Sequence, residues 1–209
     1  MGQLPDLHQA RRRLGLALST ICHDRWVLGY LRGGCVQPIA ASEISRQLLE
    51  RRPLMPLSRR ALYERKPMVV NSVLERDDSW TGDDWELDWR AILYAPVGEL
   101  GKRPAGLLVL GCRRDHWYSE RDVAHAYTLG LSLAPMVTAL RGPLSRLNES
   151  ETMAAHLLSH GFSPPEVARA MAIPEPRARL LVEAVMRKLR SVTDDDLRFP
   201  AIQLKRMTW

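Results

Sequence analysis

Two near-continuous apolar runs, WRAILYAPVG (89–98) and AGLLVLGCR (105–113), are separated only by the polar stretch ELGKRP. Each is too short for a buried helix and rich in residues that suit a pleated surface, so the pair predicts central strands of one sheet. Such strands must be covered on their faces, and the chain supplies helices to do it. Ser119 stands as an N-cap before ERDVAHAYTLGLSLAPMVTAL, with Glu120 and Asp122 in the positively polarised first turn. In that helix Val123, Gly130 and Val137 recur seven apart, with Ala126, Leu133 and Leu140 on a neighbouring stripe. Near the start, LHQARRRLGLALSTI sets Leu7, Ala10, Leu14, Ala17 and Ile21 at spacings of three and four, the stripe of an amphipathic helix.

Between these helices, RWVLGYLRG and VQPIAAS read as strands around the turn Gly33-Gly34, a pair able to take positive φ. SEISRQLLERR and PLSRRALYERK read as helices, and KPMVVNSV as a short strand. An acidic loop, DDSWTGDDWELDW, leads into the first central strand.

Composition narrows the class. Of 209 residues, 45% are hydrophobic and 26% charged, the balance of a globular chain. No apolar run approaches the roughly 18 residues of a bilayer span, and MGQLPDLHQARRRLGL lacks the layout of a secretory signal. A cytoplasmic protein without membrane contact is expected. Cys22, Cys35 and Cys112 form no CxxC pair, and the histidines, among them His23, His116, His125 and His156, form no HExxH or His/Cys metal spacing. Neither metal nor cofactor is expected. The net charge of +6 permits an anionic partner.

The succession from Trp89 to Val137 resembles the second half of a GAF domain: a strand with a proline near its end, a basic hairpin, a Gly-Leu-Leu strand, then an aromatic-Ser-Glu-x-Asp opening to a last helix. ALYERKPMVVNSV is similar to the family's helix-then-strand passage. The resemblance implies an α+β domain over residues 1–141, an antiparallel sheet flanked by helices, used to sense a small molecule, to dimerise, or both. A homodimer is expected through the helix carrying Leu7, Leu14 and Ile21 and the helix carrying Val123, Gly130 and Val137. A few GAF-fold proteins are cysteine-dependent reductases of methionine sulfoxide. This chain lacks the close cysteine pair such chemistry resembles, and no enzyme is expected.

Trp80, Trp85 and Trp89 crowd the acidic loop, with Trp26 and Tyr30 on the first strand and Tyr94 on a central one. In the family, loops beside the sheet cover the ligand pocket. These six aromatics are the candidate ligand-binding set, an aromatic lid over an apolar effector; alternatively they are plugs filling a pocket that binds nothing.

Past Gly142-Pro143, read as a short linker, residues 142–209 form a second expected domain, small and all-α. LNESETMAAHLLSHGFSPPEVARAMAIPEPRARLLVEAVMRKL resembles a LuxR-type helix-turn-helix over three helices. The matches are Leu147, Glu151, Leu157, Leu158, Gly161, Ser163, Glu166, Val167, Ala168, Ile173, Glu175, Arg187, Lys188 and Leu189, without a gap. Prolines at 164, 165 and 176 fall in first helical turns, where the missing amide has no intrahelical partner. Pro174 stands where a capping hydroxyl is usual, and Ala172 where a turn glycine is usual. The resemblance implies DNA binding by the last of these helices. Arg177 and Arg179 are candidates for base or phosphate contacts, and Arg187, Lys188 and Arg190 for phosphates. Leu181 and Glu183 share the outer face, the glutamate either repelled by phosphate or accepting from a cytosine. The alternative is a degenerate helix-turn-helix that docks on protein, such as RNA polymerase, through Leu181 and Ala184. Beyond it, Thr193 and Asp194, Asp195 and Asp196 could open a short helix ended by Pro200.

Overall fold

A computed structural model describes residues 7–44, 52–71, 89–190 and 192. The sheet has six strands: β1 (Arg25–Arg32), β2 (Cys35–Ala41), β3 (Arg52–Pro53), β4 (Met68–Val70), β5 (Ala91–Val97) and β6 (Gly106–Cys112). Their order is β3-β2-β1-β6-β5-β4, and every neighbouring pair is antiparallel. Both apolar runs form strands as expected. β5 is buried at all seven positions, because side chains on both of its faces meet other protein. Gly33 and Gly34 turn β1 into β2 with φ of 55° and 74°.

The helices are α1 (Leu7–Leu18), α2 (Pro56–Glu64), α3 (Glu120–Leu144), α4 (Glu149–Ser159), α5 (Pro164–Ala170) and α6 (Glu175–Leu189). Strand alternation sorts the core into two layers. Trp26, Leu28 and Tyr30 of β1, Leu93 and Ala95 of β5, and Leu108 and Leu110 of β6 pack under α1 and α3. Val27, Ile92, Tyr94 and Leu107 point the other way, toward Ala61 of α2 and Trp89.

Ser119 caps α3 as expected, accepting from the Asp122 amide at 3.2 Å while Asp122 accepts from the Ser119 amide at 2.9 Å. The helix is long and apolar enough, by length and composition alone, to cross a membrane. Here its apolar face is spent on the sheet. Gly130 lies so close to β5 that an added Cβ would sit 2.3 Å from the Pro96 carbonyl oxygen.

Three sequence expectations are corrected. Gly142-Pro143 is no linker: α3 continues through both to Leu144, because Leu140, Pro143 and Leu147 are buried and carry the apolar surface from one half into the other. The stripe expected to join two copies is occupied within one chain, with Leu14, Ile21, Gly130 and Val137 all in its own core. Arg52, expected to end a helix, pairs with Val36 as the first residue of β3. The rest of that expected helix lies outside the described residues, as do Trp80, Trp85 and the segment opened by Thr193.

α4, α5 and α6 enclose their own core of Leu147, Ala154, Leu157, Val167, Ala178, Val185 and Leu189. This unit also packs on the sheet domain. Leu7 and Leu144 touch both cores, and Val192, just past α6, is buried in the first. At the seam, Arg11 of α1 donates from Nε to the Ser159 carbonyl at 3.2 Å and from Nη1 to the Ser42 carbonyl at 3.2 Å.

Candidate functional site

The expected aromatic set divides. Trp26 and Tyr30 are buried under α1 and α3, whereas Trp89 and Tyr94 are buried on the opposite face. They cannot line one pocket, because a two-residue period sends alternate side chains through opposite faces of the sheet. Trp89 lies flat on β6: a Cβ at Gly111 would fall 2.2 Å from its ring carbon Cδ2. At 2% exposure this indole is a packed core residue. Cys112, also buried, sits 3.4 Å from the Tyr118 hydroxyl, and burial pushes its thiol up to about 11, so it is a poor nucleophile at neutral pH. Among the described residues no group of His, Cys, Asp and Glu could hold a metal ion.

The second candidate site lies on α6. Asn148 and Glu151 form a reciprocal capping box at the start of α4, with bonds of 2.8 and 2.9 Å. At the next start Glu166 accepts from the Ser163 amide and hydroxyl, each at 2.7 Å. Pro164 and Pro165 occupy the first positions of α5. The turn into α6 places Ala172 at φ 52°, the left-handed backbone that glycine adopts more easily. Pro174 then takes the N-cap position without a side-chain bond, and Pro176 sits in the first turn.

α6 turns Ala178, Val185 and Leu189 inward. Its outward side holds Arg177, Arg179, Leu180, Glu183, Arg187 and Arg190, all exposed. Leu181 is corrected: it is half-buried against the three-helix core, and Ala184 is half-buried too. Helical phase explains it, since Leu181 lies about 60° from Ala178 whereas Leu180 lies about 160° away. Leu180, 67% exposed, is the apolar residue of the open face, and the sequence pattern did not single it out.

The cations differ in availability. Lys188 is held by both Glu151 oxygens at 2.6 and 2.7 Å and donates to the Arg146 carbonyl at 3.2 Å, so it ties α6 to α4 instead of standing clear for a phosphate. That bond holds the Glu151 carboxyl below the usual glutamate range. Arg179 is bound to Glu175, one turn earlier, at 2.7 Å on an exposed surface, an exchangeable pair. Arg177, Arg187 and Arg190 are in no ion pair among the described residues.

An antiparallel sheet packed on one face by the first and last helices of its domain, with a further helical unit docked beside them, defines an α+β module joined to a second structure. The chain belongs to the GAF domain family, whose model matches residues 7–137. No curated protein matches it. Among solved structures, the GAF domain of a phosphoenolpyruvate-protein phosphotransferase from Coxiella burnetii is similar at a TM-score of 0.54 and 20% identity, over 66% of this chain and 85% of that one. The GAF domain of a two-component sensor histidine kinase from Bacillus halodurans gives 0.51 at 19% identity, over 64% and 94%. A type II free methionine-R-sulfoxide reductase from Thermoplasma acidophilum gives 0.50 at 18% identity, over 64% and 95%. Likeness at these identities establishes the fold alone.

Proposed function

We propose that the protein is a cytoplasmic transcription regulator in which the GAF domain senses a small molecule or joins two copies, and the α4–α6 unit binds DNA. It is not an enzyme in this reading. One observation carries the DNA half: α6 is anchored from below by Ala178, Val185 and Leu189 while its first turns present Arg177 and Arg179 outward, with Arg187 and Arg190 further along. Helix-turn-helix proteins use the N-terminal residues of such a helix for base edges and flanking cations for phosphates. The ungapped resemblance to LuxR-type domains supports the same reading. The seam made by Arg11 offers a route from the sensing domain to the helical unit, because α1 is bonded to the end of α4, which packs in one core with α6.

Fluorescence anisotropy with a DNA fragment selected from genomic fragments tests this. Arg177→Ala with Arg179→Ala is expected to weaken specific binding by about 1–3 kcal/mol for each base interaction removed, leaving fold and assembly unchanged. Glu183→Gln separates its two roles: tighter binding to every sequence places the carboxylate beside phosphate, and a loss at one base position makes it a reader of cytosine. If none of these changes alters DNA binding, α6 is no reader, and docking on a protein through Leu180 takes its place.

A further inference from the structure

An open groove of about 470 Å³ lies between α2, the end of β1 and the β5–β6 hairpin, lined by Leu31, Leu54, Leu62, Tyr63, Pro104 and three arginines, Arg59, Arg65 and Arg103. Two cavities at the seam between the two cores are by contrast about 20 Å³ each, room for a single water. The groove is at the hairpin end of β6, the end opposite Gly111 and Trp89. We propose that it binds a small organic anion, a phosphate or carboxylate joined to an apolar body.

Size is the first support, since pockets for such ligands span roughly 300–1,000 Å³. Charge is the second. Among the described residues, the lining contains three guanidinium groups and no carboxylate. Two carboxylates on the same elements are paired with other cations, Glu64 with Arg60 at 2.6 Å and Glu99 with Lys102 at 2.5 Å. Arg59 and Arg103 are therefore in no ion pair among the described residues. Guanidinium groups match phosphate and carboxylate oxygens in paired hydrogen bonds, which favours an anion over a neutral solute.

The walls are also built. Arg65 ends α2 at φ 57°, a conformation uncommon for a residue with a side chain, and its Nη1 donates to the Gly101 carbonyl at 2.5 Å. This bond fixes the hairpin to α2, setting the distance between the two cationic sides. Tyr63, 89% exposed, presents an open ring, a face on which a flat apolar group can stack. Leu31, Leu54 and Leu62 supply the apolar floor.

Calling the occupant an effector rests on the sensory reading above. Its binding is measured without DNA, so failure of the groove and failure of the DNA reading are separable. The full-length protein is titrated with 8-anilinonaphthalene-1-sulfonate, an aromatic anion whose fluorescence rises on binding, and the dye is then displaced. Saturable binding at one site is expected, weakened at least tenfold by Arg59→Gln with Arg103→Gln and at least threefold by Tyr63→Ala. Arg12→Gln with Arg13→Gln, which removes the same charge from the exposed side of α1, is expected to change affinity less than twofold. Phenyl phosphate or phenylacetate should displace the dye, the better of the two naming the anionic group, at a concentration at least tenfold below that needed for inorganic phosphate. Absent binding, unchanged affinity in the Arg59 and Arg103 variant, equal loss in the Arg12 and Arg13 control, or displacement by inorganic phosphate at the same concentration would each overturn the site. Displacement by poly-glutamate at lower concentration than either phenyl compound would also overturn it, in favour of an acidic protein segment.

Discussion

Lys188 shows how one side chain can look functional and be structural. In the sequence it continues a basic cluster with Arg187 and Arg190; in the fold it closes on Glu151, which is only 5% exposed. Lys188→Met would leave that carboxylate without its cation, at a cost of about 2–3 kcal/mol, read as a lower urea midpoint. The Lys188 bond holds the Glu151 carboxyl below its ordinary value, so its stabilisation is complete above that value and is lost as pH falls through the lower one. Unchanged stability in Lys188→Met would free Lys188 for the phosphate role. Gly130 is a second such residue. Gly130→Ala would push a methyl group into the Pro96 carbonyl and is expected to cost about 1–3 kcal/mol, seen as a lower Tm. A sequence alone signals neither case, because each depends on a partner more than thirty residues away in the chain.

At the scale of elements, the strands and helix starts were legible where local chemistry decides them. Near-continuous apolar character and short length marked β5 and β6, Ser119 marked the start of α3, and the prolines at 164 and 165 open α5 as expected. Gly142-Pro143 misled because local signals for a break were outweighed by apolar residues on either side that needed burial. The aromatic set misled for a similar reason: which face of a sheet a ring occupies follows from register, and register is a tertiary property. The seam between α1 and α4 was not foreseen, and it carries a pH prediction. His156 is buried with neither ring nitrogen hydrogen-bonded, and His160 lies beside it with Arg11 and His8 nearby. Burial holds both imidazoles down to about 4, with added repulsion from these neighbours. The unfolded chain takes up these protons first, as pH falls through about 6.5. The stabilisation is thus complete above that pH and is lost progressively toward pH 4. Between pH 7 and pH 5 the Tm is expected to fall, and His156→Leu should flatten the fall. An equal slope in that variant would remove His156 as its source.

For the whole molecule, a GAF domain and a three-helix unit share a seam in which Leu7, Leu144 and Val192 bind them into one packed body. The proposed self-association would use surfaces other than the stripes first expected for it, which are buried in the core. Leu16, 71% exposed on the outer side of α1, is the residue we expect there. Wild-type protein should sediment as a dimer at micromolar concentration and Leu16→Asp as a monomer; a monomeric wild type would end the dimer reading. The central claim is that this body reads DNA through α6. The most direct test is selection of genomic DNA fragments by the purified full-length protein at two salt concentrations. A small set of sequences retained at both, with affinity falling steeply between them as phosphate contacts are screened, is the expected result. No retention, or retention without sequence preference that vanishes at the higher salt, would contradict it.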